Sequence, residues 1–220
     1  MIRPLKPTQL IPAPHIMAGG VLEVDATLTN SDTLVLLLHP NPKHGGNMMS
    51  KVITTMYRHY REQGMNVVRF NYRGVGHSRG EIEYGQGEFL DALCVLLWAL
   101  SQTSAKRLCL GGFSFGGFLA CQVADVILTG QAPNGFNVPD VKLIKTVLVA
   151  PSIEKNDPTG LVLDPKTTTV IYGDKDEFVK PSSMYDFATK FELSYQVVPN
   201  ATHFFHGQLG ELKQTLQNID

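Results

Sequence analysis

The stretch Leu108-Cys109-Leu110-Gly111-Gly112-Phe113-Ser114-Phe115-Gly116-Gly117-Phe118-Leu119-Ala120 constrains this chain more than any other. A short apolar run ends at Gly111 and a serine bracketed by glycines follows. Small and apolar residues then resume at helical spacing through Cys121, Ala124 and Leu128. The pattern predicts strand, tight turn and helix, with Gly112-x-Ser114-x-Gly116 at the turn. Lifting a serine clear of a sheet edge requires a sharp, strained turn. Only hydrogen side chains two positions either side let strand and helix pack that closely. The helix N-terminus then aims backbone N–H groups at negative charge forming beside Ser114. A glycine-flanked serine alone is common in loops; the strand before and the helix after make Ser114 a candidate nucleophile.

The rest of the chain alternates strand and helix signals. Residues 1–20 read as irregular, ending at Gly19-Gly20. The alternation of Val, Glu, Val and Asp predicts a half-exposed strand over 21–27. An uninterrupted apolar run over 33–38 has the signature of a strand buried on both faces. Further strands are expected over 67–70, 107–111, 146–150, 168–172 and 194–198. Helices are expected from an Asn47 cap to about Gln63, closed by Gly64, and over about 87–101, 115–129, 182–191 and 208–219. This order implies the α/β class: a mostly parallel central sheet with helices on both faces and ligands at the strands' carboxyl ends. A length of 220 residues suits one domain spanning 1–220.

Charge and cysteine usage bear on partners. A net charge of -1 offers no electrostatic reason to expect nucleic acid or an anionic membrane surface. Cys94, Cys109 and Cys121 lie in apolar segments with neither paired nor metal-type spacing, so they read as core residues in a reducing compartment. No continuous apolar segment occurs near the N-terminus, and the longest apolar run, 92–100, is too short to span a bilayer. A cytoplasmic location is expected. His39, His44 and the pair His203-x-x-His206 form only a weak metal pattern without His-Glu-x-x-His, so neither metal nor cofactor is expected.

Side chains that end consecutive parallel strands converge. Here they are the 39–46 loop, the 71–78 loop, Ser114, Pro151, the loop holding Asp174 and Asp176, and His203. A serine hydroxyl needs a base within reach and a group that orients the base. The chain supplies serine, then aspartate, then histidine, in that order. The segments His39-Pro40-Asn41-Pro42…Gly45-Gly46, Asn71-Tyr72-Arg73-Gly74-Val75-Gly76-His77-Ser78, Gly112-Phe113-Ser114-Phe115-Gly116-Gly117, Gly173-Asp174-Lys175-Asp176-Glu177-Phe178-Val179 and Ala201-Thr202-His203-Phe204-Phe205 carry a resemblance. In these blocks, over nearly its full length, the chain resembles an α/β-hydrolase. Within that superfamily it is similar to the small lid-less serine esterases related to dienelactone hydrolase.

The resemblance implies an α/β-hydrolase fold and a catalytic triad. The family pattern Gly-Asp-x-Asp-x-x-Val puts the acid at Asp176 rather than Asp174, whose alternative role is to brace the loop. It puts the base at His203, leaving His206 as a surface or helix-capping residue. Oxyanion donors must be backbone N–H groups. One is expected from Phe115, after the nucleophile, and one from the loop after the 33–38 strand. Pro40 and Pro42 lack an N–H, which leaves Asn41, with His39 bracing that loop. Arg73 is expected to anchor the 71–78 loop. Some of Phe115, Phe204 and Phe205 are expected to reach an acyl pocket, with Phe113 and Phe118 as core.

Family members with a lid usually insert it between the strands at 146–150 and 168–172, and the gap 151–167 is too short for one. An open site suits small or exposed acyl groups. The expected activity is a serine hydrolase of small-molecule carboxylic esters. Thioesterase, peptidase and acyltransferase chemistry would use the same triad, and a non-catalytic scaffold would keep only the fold.

Overall fold

Six consecutive residues with no exposed face need neighbours on both edges and both sides, and β3 (Thr33–Leu38) has them. The structure, a computed structural model describing residues 8–17 and 19–219, places β3 inside an eight-stranded sheet. The other strands are β1 (Gln9–Pro12), β2 (Val21–Thr27), β4 (Asn66–Phe70), β5 (Arg107–Phe113), β6 (Lys142–Val149), β7 (Thr168–Gly173) and β8 (Ser194–Val198). They lie side by side in the order β1-β2-β4-β3-β5-β6-β7-β8. The β1–β2 and β2–β4 pairings are antiparallel, and every later pairing is parallel.

Helices α1 (Lys51–Glu62), α2 (Gln86–Ser101), α3 (Phe115–Thr129), α4 (Pro181–Lys190) and α5 (Leu209–Asn218) cover the sheet. Adjacent strand residues point to opposite faces. A Cβ added to Gly111 would meet Met56 of α1, whereas one on Gly112 would strike the Gly116 carbonyl of α3. Helices α1 and α3 therefore occupy opposite faces. Helix α5 packs with α1, α2 packs with α3, and α4 lies on β7 and β8. Among the described residues no helix is long and apolar enough to cross a membrane.

The strand order doubles back around β3, so connections leave β3 and β5 in opposite directions and open a crevice at their carboxyl ends. Leu38 pairs with Gly112 across these strands, and Gly173 pairs with Val198 further along. The register thus starts the loops after β3, β5, β7 and β8 along one edge of the sheet.

Three local expectations differ from the structure. Part of the segment expected to be irregular forms β1, an edge strand; its Pro12 stands at the end of that edge, where a missing N–H is tolerated. Residues 1–7 and 18 of that segment lie outside the described set. Helix α1 starts at Lys51 behind Ser50, not at Asn47. The Asn47 side chain instead accepts the Met49 N–H at 2.9 Å, the local side-chain turn that competes with helix capping. Strand β6 begins at Lys142, where Lys142 and Lys145 interrupt the apolar pattern along its less buried start.

Buried polar contacts hold the 71–78 loop. Asp91 on α2 is fully buried and accepts hydrogen bonds from the Arg73 N–H at 2.8 Å, the Arg73 guanidinium at 2.9 Å and His15 Nε2 at 2.8 Å. On the opposite side Glu23 accepts from Asn71 Nδ2 at 2.8 Å and from the His77 N–H at 2.9 Å. Burial raises the Glu23 carboxyl, but hydrogen bonds from His77, Thr8 and Asn71 outweigh it and hold the group at about 2. Arg73 anchors the loop and does not border the cleft around Ser114.

Asp91→Ala leaves the buried Arg73 guanidinium with Glu83 as its remaining carboxylate partner among the described residues and is expected to destabilise the fold by about 3 kcal/mol. Lys106→Ala, which removes only the exposed pair with Asp140, is expected to cost under about 1 kcal/mol. Denaturant unfolding of both variants checks the contrast.

Candidate active site

Ser114 joins β5 to α3 with φ 55° and ψ −117°, a backbone conformation that L residues rarely adopt. Its N–H donates to the Val149 carbonyl at 2.9 Å, which ties the turn to the end of β6. A side chain on Gly116 would overlap the Leu38 and His39 carbonyls. Absence of that side chain is what lets α3 begin directly against β3.

The hydroxyl faces a buried imidazole. His203 Nε2 lies 3.0 Å from Ser114 Oγ, and His203 Nδ1 lies 2.8 Å from Asp176 Oδ2. The other Asp176 oxygen accepts the backbone N–H groups of Phe178 at 2.9 Å and Val179 at 2.8 Å, so the carboxylate cannot swing away. A carboxylate only accepts, so Nδ1 carries the hydrogen and Nε2 presents its lone pair to the serine. The Glu177 carboxylate accepts the His203 N–H at 3.1 Å and fixes the backbone below the ring. Asp174 braces the neighbouring turn instead, accepting the Asn200 N–H at 2.6 Å. His206 is exposed and stacks on Phe204 at 5.7 Å.

Asn41 and Phe115 border the same cleft as Ser114. Among the described residues neither backbone N–H has an intramolecular acceptor. The Asn41 side chain accepts the Lys43 N–H at 2.9 Å and caps the short 3-10 turn Pro42–His44. His39 sets the orientation of the Asn41 amide. The Tyr72 N–H donates to His39 Nε2 at 3.2 Å, so the ring hydrogen sits on Nδ1, which donates to the Pro40 carbonyl at 2.7 Å. The Pro40 C=O and Asn41 N–H belong to one planar trans peptide and point in opposite directions. Tying down the carbonyl therefore turns the N–H away from His39. Burial pushes the His39 pKa down to about 3, which keeps this neutral, one-hydrogen arrangement.

The cleft holds about 140 Å³. Tyr84, Phe115, Phe178 and Phe204 line it, with Ser152 and Lys155 after β6. Tyr84 stacks on Phe115 with centroids 4.9 Å apart. Glu88 accepts the backbone N–H groups of Glu83, Tyr84 and Gly85 at 2.9, 3.0 and 2.7 Å, which holds Tyr84 at its positive φ of 63°. Phe204 borders the cleft, and so does Phe115, although its side chain is fully buried against Tyr84; Phe205, also fully buried, does not border it.

A family model described as alpha/beta hydrolase fold matches residues 33–134. A curated relative, an uncharacterized protein of Rickettsia prowazekii, is 28% identical and the match covers 84% of this chain and 77% of that one. A solved structure of an alpha-beta serine hydrolase homologue from Coxiella burnetii is 32% identical, with 97% of each chain covered and a TM-score of 0.82. The chain belongs to the α/β-hydrolase family. A second solved structure, from Xanthomonas campestris, is described as an a/b serine hydrolase without lid; it is 28% identical, with 97% and 93% of the chains covered and a TM-score of 0.78.

As in an α/β-hydrolase without a lid, residues 150–167 cross from β6 to β7 with no helix or strand of their own. Among the described residues no group of three or more His, Cys, Asp or Glu is arranged to hold a metal ion. The α/β-hydrolase cleft contains residues that sequence reasoning missed. Tyr84 sits in an irregular loop and carries no local signal. Ser152 follows the β6 carboxyl end directly, and that position alone would have marked it.

His39 makes a pH prediction. In the unfolded chain an ordinary histidine takes up a proton as pH falls through about 6.5, while folded His39 stays neutral to about 3. The neutral site therefore contributes its full stability above pH 6.5 and loses it as pH falls toward 3. His39→Gln, which can still donate to Pro40, is expected to remove up to about 1.4 kcal/mol per pH unit from the stability slope between about pH 6 and 5. Denaturation midpoints at both pH values test this.

Proposed function

We propose that the protein is a serine hydrolase that cleaves carboxylic esters of small or exposed acyl groups. The observation that supports this best is the continuous line from Ser114 Oγ through the His203 ring to Asp176, with both bonds at hydrogen-bond distance. His203 Nε2 takes the Ser114 proton as Oγ bonds to the acyl carbon. Asp176 keeps the ring in the required tautomer and stabilises the imidazolium. The Asn41 and Phe115 N–H groups take the carbonyl oxygen as it becomes an oxyanion. The imidazolium then protonates the leaving alcohol, and the acyl group stays on Ser114. Water attacks that acyl-enzyme, with His203 again as base, and releases the acid.

The small, lid-less cleft supports short acyl chains over long lipid tails. The relative from Coxiella burnetii, itself called a serine hydrolase homologue, supports the nucleophile's identity.

Ser114→Ala is expected to lower aryl-ester kcat/KM by at least about a thousandfold and to abolish covalent labelling by a fluorophosphonate. Retained esterase activity in that variant sinks the reading. Asp176→Asn is expected to lower kcat by about ten-thousandfold while leaving the fold intact. Aryl esters from acetate to laurate, assayed on the natural chain, are expected to show kcat/KM falling as the acyl chain outgrows the cleft.

A further inference from the structure

The cleft lining is of two chemical kinds. Tyr84, Phe178 and Phe204 contribute aromatic residues, and the segment after β6 contributes Ser152 and Lys155. Ser152 is buried, and its N–H donates to the Ser114 carbonyl at 3.0 Å, so its place beside the nucleophile is fixed. Asn156 Nδ2 donates to Ser152 Oγ at 2.8 Å and to the Ser152 carbonyl at 3.1 Å. A hydroxyl has two lone pairs and one hydrogen to give. Asn156 engages a lone pair, and among the described residues the Ser152 hydrogen has no acceptor, so it remains available to a molecule in the cleft.

Lys155 makes no ion pair among the described residues, and its N–H to the Ser152 carbonyl at 3.3 Å keeps its base next to Ser152. His44 borders the same cleft, and the Lys43 ammonium sits 5.4 Å from the Tyr84 ring centroid. Among the described residues no Asp or Glu borders the cleft. The neighbouring carboxylates are engaged elsewhere: Asp176 by His203 and two backbone N–H groups, Glu177 by the His203 N–H, and Glu154 by the Lys180 N–H and the Ser183 hydroxyl. The Ser152–Lys155 segment therefore donates hydrogen bonds and carries positive charge. Its complement is an anionic acceptor.

We propose that Ser152 and Lys155 form a carboxylate-recognising subsite beside the nucleophile, and that half-esters of short dicarboxylic acids are the preferred substrate class. This rests on the serine-hydrolase reading for turnover, but the binding half of it does not. The substrate's free carboxylate accepts from Ser152 Oγ and the Lys155 ammonium while its ester carbonyl lies over Ser114. Asn156 acts as a positioning residue for Ser152.

Binding is measured by calorimetry on the Ser114→Ala protein with monoethyl succinate and with ethyl butyrate, a matched charged and neutral pair. The half-ester is expected to bind about tenfold more tightly, and Lys155→Ala in that background is expected to erase the difference while Lys155→Arg keeps it. In the Ser114 enzyme, the kcat/KM ratio of aryl hemisuccinate over aryl butyrate is expected to fall about tenfold in Lys155→Ala, through KM, and to narrow as salt rises. Ser152→Ala is expected to lower the same ratio. Equal affinity for the two esters, or ratios unmoved by both substitutions, overturns the subsite. Lys155-dependent binding of the half-ester without fluorophosphonate labelling or turnover keeps the subsite and overturns the hydrolase reading instead.

Discussion

At the start of α3, the Cα of Gly116 rests against the carbonyls of Leu38 and His39, and the Cα of Gly112 rests against the helix's own first turn. This approach is closer than any side chain permits, and several other features depend on it. It bends the backbone at Ser114 into its strained conformation and brings the first free N–H groups of α3 to the end of β3. The Leu38–Gly112 register then puts the Asn41 loop beside the serine turn. One steric contact thus sets the relation between the hydroxyl and both amide donors before any charged group is considered.

Polar groups in the interior serve to hold loops. His39, Glu88, Asp91 and Asp176 are all buried, and each bonds backbone N–H groups or a backbone carbonyl of a neighbouring loop. Leaving such a group without partners would cost more than the net gain from satisfying it. The loops at the carboxyl edge therefore have few alternative conformations that keep every buried donor and acceptor paired. A site on loops gains in this way the rigidity usually found in sheet and helix.

How far the chain can be read without coordinates follows from the range of each interaction. The bounds of β2, β3, β8 and α3 are visible because period and composition are local, and the apolar run of β3 admits no exposed face. The start of α1 is hidden because Asn47 makes a side-chain turn that looks, in sequence, like a cap. The residues that meet at Ser114 are legible as chemistry because serine, aspartate and histidine follow the carboxyl ends of β5, β7 and β8, which a parallel sheet brings to one edge. Spacing along the chain does not by itself choose Asp176 over Asp174; the family resemblance points to Asp176, and in the structure the bond from His203 Nδ1 to Asp176, with Asp174 turned to the Asn200 N–H, separates them. Tyr84 and Phe178 are illegible as cleft walls for a related reason: aromatic residues near loops look alike whether their rings face the core or the cleft.

Without a lid, the cleft cannot gain selectivity by closing over a substrate and expelling water. Discrimination must then come from the walls already present. Aromatic rings reward apolar contact but distinguish chain lengths only weakly, since one methylene in such a pocket changes selectivity by about 10–200-fold at most. A fixed hydroxyl donor and an exposed ammonium would make a different kind of wall, because each is left without a partner when the substrate lacks an acceptor. In the proposed subsite both belong to the short segment that follows β6, so that connection would carry the discrimination. For the proposed acyl-enzyme, the same openness would give water direct access to the acyl group, an arrangement that suits hydrolysis better than transfer to another alcohol.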